Sequence, residues 1–197
     1  MAFGAKDAYA YLMMHGFNAS QAAALAGNIQ QESGFDPKNT NDKEGAYGLL
    51  QWRLDRREAL GQFAKSTGRD VSDPYAQLDF IAHEMRNGSE TKSAQGFMQA
   101  QDVGSASAAL KPYIRYGDAS EGARLKYAQG VMSDPPQADP QTMFAQHPGE
   151  MQPGHNAFSA YAALSHLWNG NPITVVDADG KWRMVRPVAH DPFGGAA

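Results

Sequence analysis

Apolar positions over roughly the first two thirds of the chain recur every three or four residues, the period of a helix with one buried face. Ala22, Leu25, Ala26 and Ile29 make one such stripe; Leu78, Ile81, Ala82 and Met85 make another. Punctuation falls between the stripes. Residues 5–15 predict a helix stopped by Gly16. Asn18 and Gln21 stand in capping-box spacing, with Phe17 and Ala22 as a weak hydrophobic staple, so a second helix starts there and stops at Gly34. A Gly- and Asn-rich stretch, 36–48, interrupts. Helix resumes near 54–66, with Asp55 a candidate cap, and ends before Gly68. "SDPYAQLDFIAHEMRNG" carries Asp73 as N-cap, Pro74 at the first helical position and Gly88 as terminator. Two more helices are expected, at 103–111 and 119–132, the last opening with Asp118 and Glu121 in capping-box spacing. The class this predicts is mostly α.

The pattern breaks near Ser133, where "SDPPQADPQTMFAQHPGEMQPG" crowds Pro and Gly together. This predicts a helical domain over 1–132, a Pro-rich linker over 133–154 and a C-terminal arm over 155–197. Within the arm, "AFSAYAALSHLW" reads as a short amphipathic helix. "ITVVDADGKWRMV" places β-branched and aromatic residues on both sides of Asp179-Gly180, a hairpin signal.

Composition narrows the chemistry by exclusion. The 197-residue chain is 42% hydrophobic, enough for a core, and its net charge of -4 makes nucleic acid a poor partner. No apolar run approaches the ~18 residues that span a bilayer, so stable membrane insertion is not expected. The start, "MAFGAKDAYAYLMMHG", lacks the basic, apolar and small-residue order of a secretory signal. With no cysteine there are no disulfides and no thiolate metal sites. The six histidines form no His-Glu-x-x-His pattern, and His83 lacks a second His at the needed spacing, so neither metal nor cofactor is expected.

One residue breaks the apolar logic. Glu32 follows Ile29 by three and Leu25 by seven, on the stripe that should be buried. It also lies in the last turn, at the negative end of the helix dipole. Burial and dipole both push the carboxyl toward keeping its proton, as a general acid must; the competing reading is a frayed helix end with Glu32 turned into water. Shortly after comes "GAYGLLQW", 45–52. Gly45 and Gly48 permit close backbone approach to a ligand, Tyr47 and Trp52 offer aromatic faces, and Gln51 offers an amide. That set suits a sugar, with its apolar ring faces and polar edges. The competing reading is that Leu49, Leu50 and Trp52 simply pack a turn.

"QESGFDP" followed by "GAYGLLQW" and "RREAL" resembles the phage tail lysozyme domain. More distantly it resembles goose-type lysozymes and soluble lytic transglycosylases. The layout extends over roughly 5–131, and the specific part is 27–57. The resemblance implies a lysozyme-like helical domain with a small irregular or β element at a cleft for a glycan strand. It implies that Glu32 protonates the leaving glycosidic oxygen, that Ser33 helps orient the carboxyl, and that Tyr47 and Gln51 line the cleft, with Gly48 and Trp52 as further candidate substrate contacts from the residue types. A later tyrosine, Tyr113 or Tyr116, would stand against the acid. A two-carboxylate glycosidase needs a second acid. Asp36 reads as a turn former, Asp42 as solvated, and Glu44 is the best candidate. Lytic transglycosylases work with one glutamate, so the two outcomes stay open. Arg56 and Arg57 read as a solvated helix face or as contacts for stem-peptide carboxylates.

The function implied is a virion-associated enzyme that cuts between N-acetylmuramic acid and N-acetylglucosamine in the host periplasm or wall. Residues 133–197 would dock on other virion or tail proteins. The alternatives are a bacterial lytic transglycosylase, a free endolysin, and a non-catalytic structural tail protein.

Overall fold

The computed structural model describes residues 2–41 and 43–134, together with two strand segments, 173–176 and 182–185. The chain divides by its internal contacts into two units, Met1–Gln137 and Ala138–Ala197.

The first unit is helical. Its elements are α1 (Ala5–Met14), α2 (Ala19–Ser33), a two-residue ribbon β1 (Thr40–Asn41) and β2 (Ala46–Tyr47), then α3 (Leu54–Ser66) and α4 (Pro74–Arg86). Three short helices follow, α5 (Gln95–Gln99), α6 (Val103–Ala109) and α7 (Lys111–Ile114). A 3₁₀ turn at Asp118–Ser120 leads into α8 (Glu121–Ser133). The mostly α expectation holds, and the small β element sits just after α2.

Helix α2 is the centre of the domain. Every residue from Ser20 to Ile29 is buried, not only the expected stripe. A helix this rich in Ala and Gly can be surrounded because small side chains let neighbours approach on several sides. α8, α1 and α6 all pack on it. Its closest neighbour is α8: a Cβ on Gly27 would stand 2.6 Å from the Ala128 nitrogen and 2.7 Å from the Arg124 carbonyl oxygen. Gly27 is what allows these two backbones to meet. Around this centre Leu12, Phe17, Leu25, Ile29, Leu60 and Leu78 are fully buried.

The caps follow their local chemistry. Asn18 Oδ1 accepts from the Gln21 backbone N–H and Gln21 Oε1 accepts from that of Asn18, both at 2.9 Å. Gly34 closes α2 in the left-handed conformation at φ 61°. Asp73 accepts from the Tyr75 N–H, and Pro74 starts α4 as expected. Two expectations fail. Arg53, not Asp55, is the N-cap residue of α3. Asp118 and Glu121 form no capping box: Asp118 enters the 3₁₀ turn and pairs with Lys111, and Ser120 stands at the cap without a side-chain capping bond. The helix expected at 103–111 is broken at Leu110, and α5 has no counterpart in the sequence reading.

In the second unit, β3 (Ile173–Val176) and β4 (Trp182–Val185) pair antiparallel, with Ile173 opposite Val185 and Val176 opposite Trp182. The antiparallel pairing of these two segments agrees with the hairpin signal, while a two-residue turn at Asp179-Gly180 would have set Val176 opposite Arg183. The turn at Asp179-Gly180, the Pro-rich segment from residue 135 on, the helix expected at 157–168, His147, His155 and His166, and also Asp42, lie outside the described residues.

Candidate functional site

The last turn of α2 presents Asn28 and Glu32, four residues apart and so on one face, toward α8. The Glu32 side chain is 17% exposed, and its Oε1 accepts from Arg124 Nη2 at 2.7 Å. Arg124 is only 4% exposed. Its Nη1 donates to Asn28 Oδ1 at 2.9 Å and its Nε donates to Ser120 Oγ at 3.0 Å. Its guanidinium carbon lies 4.0 Å from the centre of the Tyr116 ring. Tyr116 is in turn anchored by its hydroxyl, which donates to the Ser107 carbonyl at 3.2 Å. Burial and the dipole were the influences the sequence offered for Glu32; the structure adds a buried cation that meets it. Among the described residues, Glu32 Oε2 takes part in no hydrogen bond.

Ser33 does something other than orient that carboxyl. Its hydroxyl donates to the Leu49 carbonyl at 3.0 Å and to that of Ile29 at 3.2 Å, tying the helix end to the glycine loop. The loop is stitched by backbone and amide. Gly48 N–H donates to the Asn39 carbonyl at 2.9 Å, and Tyr47 and Trp52 exchange backbone bonds at 3.0 and 2.9 Å. Gln51 adopts φ 53° and spends its amide within the loop, donating to Asn39 and Gly48 carbonyls at 3.1 and 2.9 Å. Gly48, at φ 78°, is required twice: by its conformation, and because a Cβ there would fall 2.7 Å from Gln77 Oε1. Gln77, fully buried on α4, is a clamp the sequence reading missed. It accepts from the Leu49 N–H at 2.8 Å and donates to the Pro37 and Val71 carbonyls at 2.8 and 2.7 Å.

Trp52 and Tyr113, expected in the cleft, are instead in the core. Both serve the buried Glu84 carboxylate, which accepts from Trp52 Nε1 at 2.9 Å and the Tyr113 hydroxyl at 2.8 Å. Arg56 completes the group through its Nε at 2.8 Å and Nη2 at 2.9 Å, with its guanidinium over the Tyr113 ring. Burial, reinforced by Glu84, pushes the Tyr113 hydroxyl well above its ordinary range. Arg56 thus has a structural partner, which removes it from the surface role considered for it. Of the two tyrosines weighed, Tyr116 is the one joined to Glu32, through Arg124.

Tyr47 is half-buried, with the Arg57 guanidinium 5.5 Å over its ring. Burial raises its hydroxyl, and the Asp70 and Asp36 charges raise it further against Arg57. Glu44 is exposed and pairs with Arg53. Asp36 accepts from the Lys38 N–H at 2.8 Å, the turn role expected of it. None of these carboxylates is hydrogen-bonded to Glu32. A cavity of about 240 Å³ between α1, α2 and α8 is lined by Ala26, Gln30, Phe35 and Tyr127, and Glu32 is not among its lining residues. Among the described residues no group of side chains could hold a metal, and no helix is long and apolar enough to cross a membrane.

The mostly helical domain, with a small ribbon after the helix that carries Glu32, agrees with the fold that the motif pair implied. Residues 4–134 match the model of the phage tail lysozyme family, and the chain belongs to that family. Membership points to a lysozyme-like function associated with a phage particle, with peptidoglycan as the substrate class. No curated protein and no solved structure matches the chain at a significant level.

Proposed function

We propose that this domain is a peptidoglycan glycosidase of the virion, with Glu32 as the acid that cuts between N-acetylmuramic acid and N-acetylglucosamine during genome entry. The observation that carries this reading is the asymmetry of the Glu32 carboxyl. Oε1 is held by Arg124, while Oε2 has no hydrogen-bond partner among the described residues. A proton on Oε2 passes to the glycosidic oxygen. The bond from the anomeric carbon to that oxygen breaks, its electron pair staying with the leaving sugar. The cation left on the muramic acid is taken by water or by its own 6-hydroxyl, whose proton returns to Glu32. The Tyr47 ring, the half-exposed aromatic of the expected set, is assigned to one face of a sugar, beside the loop that Gln51 and Gly48 shape.

Mass spectrometry of fragments released from purified peptidoglycan tests this. Wild type should release muropeptides and Glu32→Gln should release none. Reducing muramic ends identify a hydrolase and 1,6-anhydro ends a transglycosylase. Equal release by both proteins refutes the role of Glu32. No release by either makes the domain a structural tail protein.

A further inference from the structure

We propose that Arg124 is the positioning residue for Glu32: it selects Oε2 as the oxygen that carries the transferred proton and stabilises the carboxylate left when that proton departs. This rests on Glu32 being the acid. A glutamate in the last turn of a helix is ordinarily a loose side chain facing an unfavourable dipole. Here one oxygen is fixed by a guanidinium that is itself fixed on every side. Asn28 holds one edge, Ser120 another, and the Tyr116 ring covers a face. All three anchors are neutral, and Glu32 is the carboxylate joined to this cation. Burying a guanidinium beside a carboxylate adds little to stability compared with apolar side chains of the same volume. What it does supply is orientation, and a preorganised positive charge where negative charge forms during the reaction. Arg124 keeps its own proton throughout. It offsets the helix dipole, and the charge left on Glu32 is met at 2.7 Å without reorganisation. The other charged groups nearby, Glu121 and Lys111, lie beside Tyr116 and pair with each other at 3.7 Å.

The test is the rate of peptidoglycan cleavage by the full chain, with kcat and KM separated. Arg124→Met should lower kcat at least tenfold and leave KM within about twofold. Arg124→Lys keeps the charge without the fork, so its kcat should recover only part of that loss. A folded Arg124→Met with a wild-type kcat overturns the proposal. If Arg124→Met does not fold, Arg124→Lys decides alone: a reduced kcat with KM within about twofold supports positioning, and a wild-type kcat overturns it. Glu32→Gln, run alongside, separates the two levels. Retained activity there removes the acid itself, whereas an inactive Glu32→Gln with a wild-type-like Arg124→Met removes only the positioning role.

Discussion

Replacing Gly27 by Ala adds one methyl group where α2 and α8 touch. The added carbon would meet backbone atoms at 2.6 and 2.7 Å, and the Ala128 Cα at 3.0 Å. Backbone cannot swing aside as a side chain can, so the helices must part by several tenths of an ångström or more to restore ordinary contact. Overpacking of this kind costs about 1–3 kcal/mol. Against it stands the better helix propensity of Ala, worth ~1 kcal/mol in a helix interior. The net is a loss of about 0–2 kcal/mol, or up to roughly 8 °C in Tm for a domain of this size. The same separation draws Arg124 away from Glu32, because the clash is partly with the Arg124 carbonyl itself. Activity at a temperature where the variant is fully folded should therefore also fall, by about tenfold. Gly122→Ala on α8 is the control, since its added carbon meets nothing within 4 Å. It should melt at or slightly above wild type with full activity. Thermal melts by circular dichroism and initial rates on purified peptidoglycan measure both effects. A Gly27→Ala protein as stable and active as Gly122→Ala would refute the claim that this crossing sets the site.

Two further outcomes follow from buried polar groups. Gln77→Leu leaves the Leu49 N–H and the Pro37 and Val71 carbonyls without their amide, so denaturant unfolding should show a loss of about 2–4 kcal/mol, with local exchange protection lost first at 48–50. Asp79 carries a pH signature: burial pushes it up to about 6, although Arg69 Nη1 lies at 2.6 Å and the Tyr11 hydroxyl also donates to it. An acid held higher in the folded state binds its proton more tightly there. Its stabilisation is therefore full below the unfolded value near 4 and is lost as pH rises to about 6. Melts at a series of pH values should show wild type losing on the order of 2 kcal/mol across that window relative to Asp79→Asn. Parallel pH curves for the two proteins would contradict the assignment.

The elements that were legible in the sequence are those closed within a few residues. Asn18, Gln21 and Gly34 delimit α2, and Asp73 with Pro74 opens α4, because each cap bonds to backbone no more than four positions away. The stripe on α4 was legible because helical period alone assigns its buried face. The order of "QESGF" and "GAYGLLQW" was enough to single out Glu32 and the loop that Ser33 ties to it.

Where a side chain reaches across the fold, the sequence carried no such signal. Arg124 lies 92 positions from Glu32, and nothing in "EGARLKYA" distinguishes a buried guanidinium from a solvated one. Trp52 and Tyr113 bear the same rings whether they line a cleft or enclose Glu84; only the packing of α3, α4 and α7 decides. Asp118 and Glu121 had the spacing of a capping box, but Lys111 took Asp118. By itself the sequence determined the longer helical segments, where most of them start and stop, and which glutamate is out of place, since those depend on backbone hydrogen bonds and residue period. Tertiary structure alone decided what that glutamate meets, because a charge partner is chosen by which helices Gly27 allows to touch.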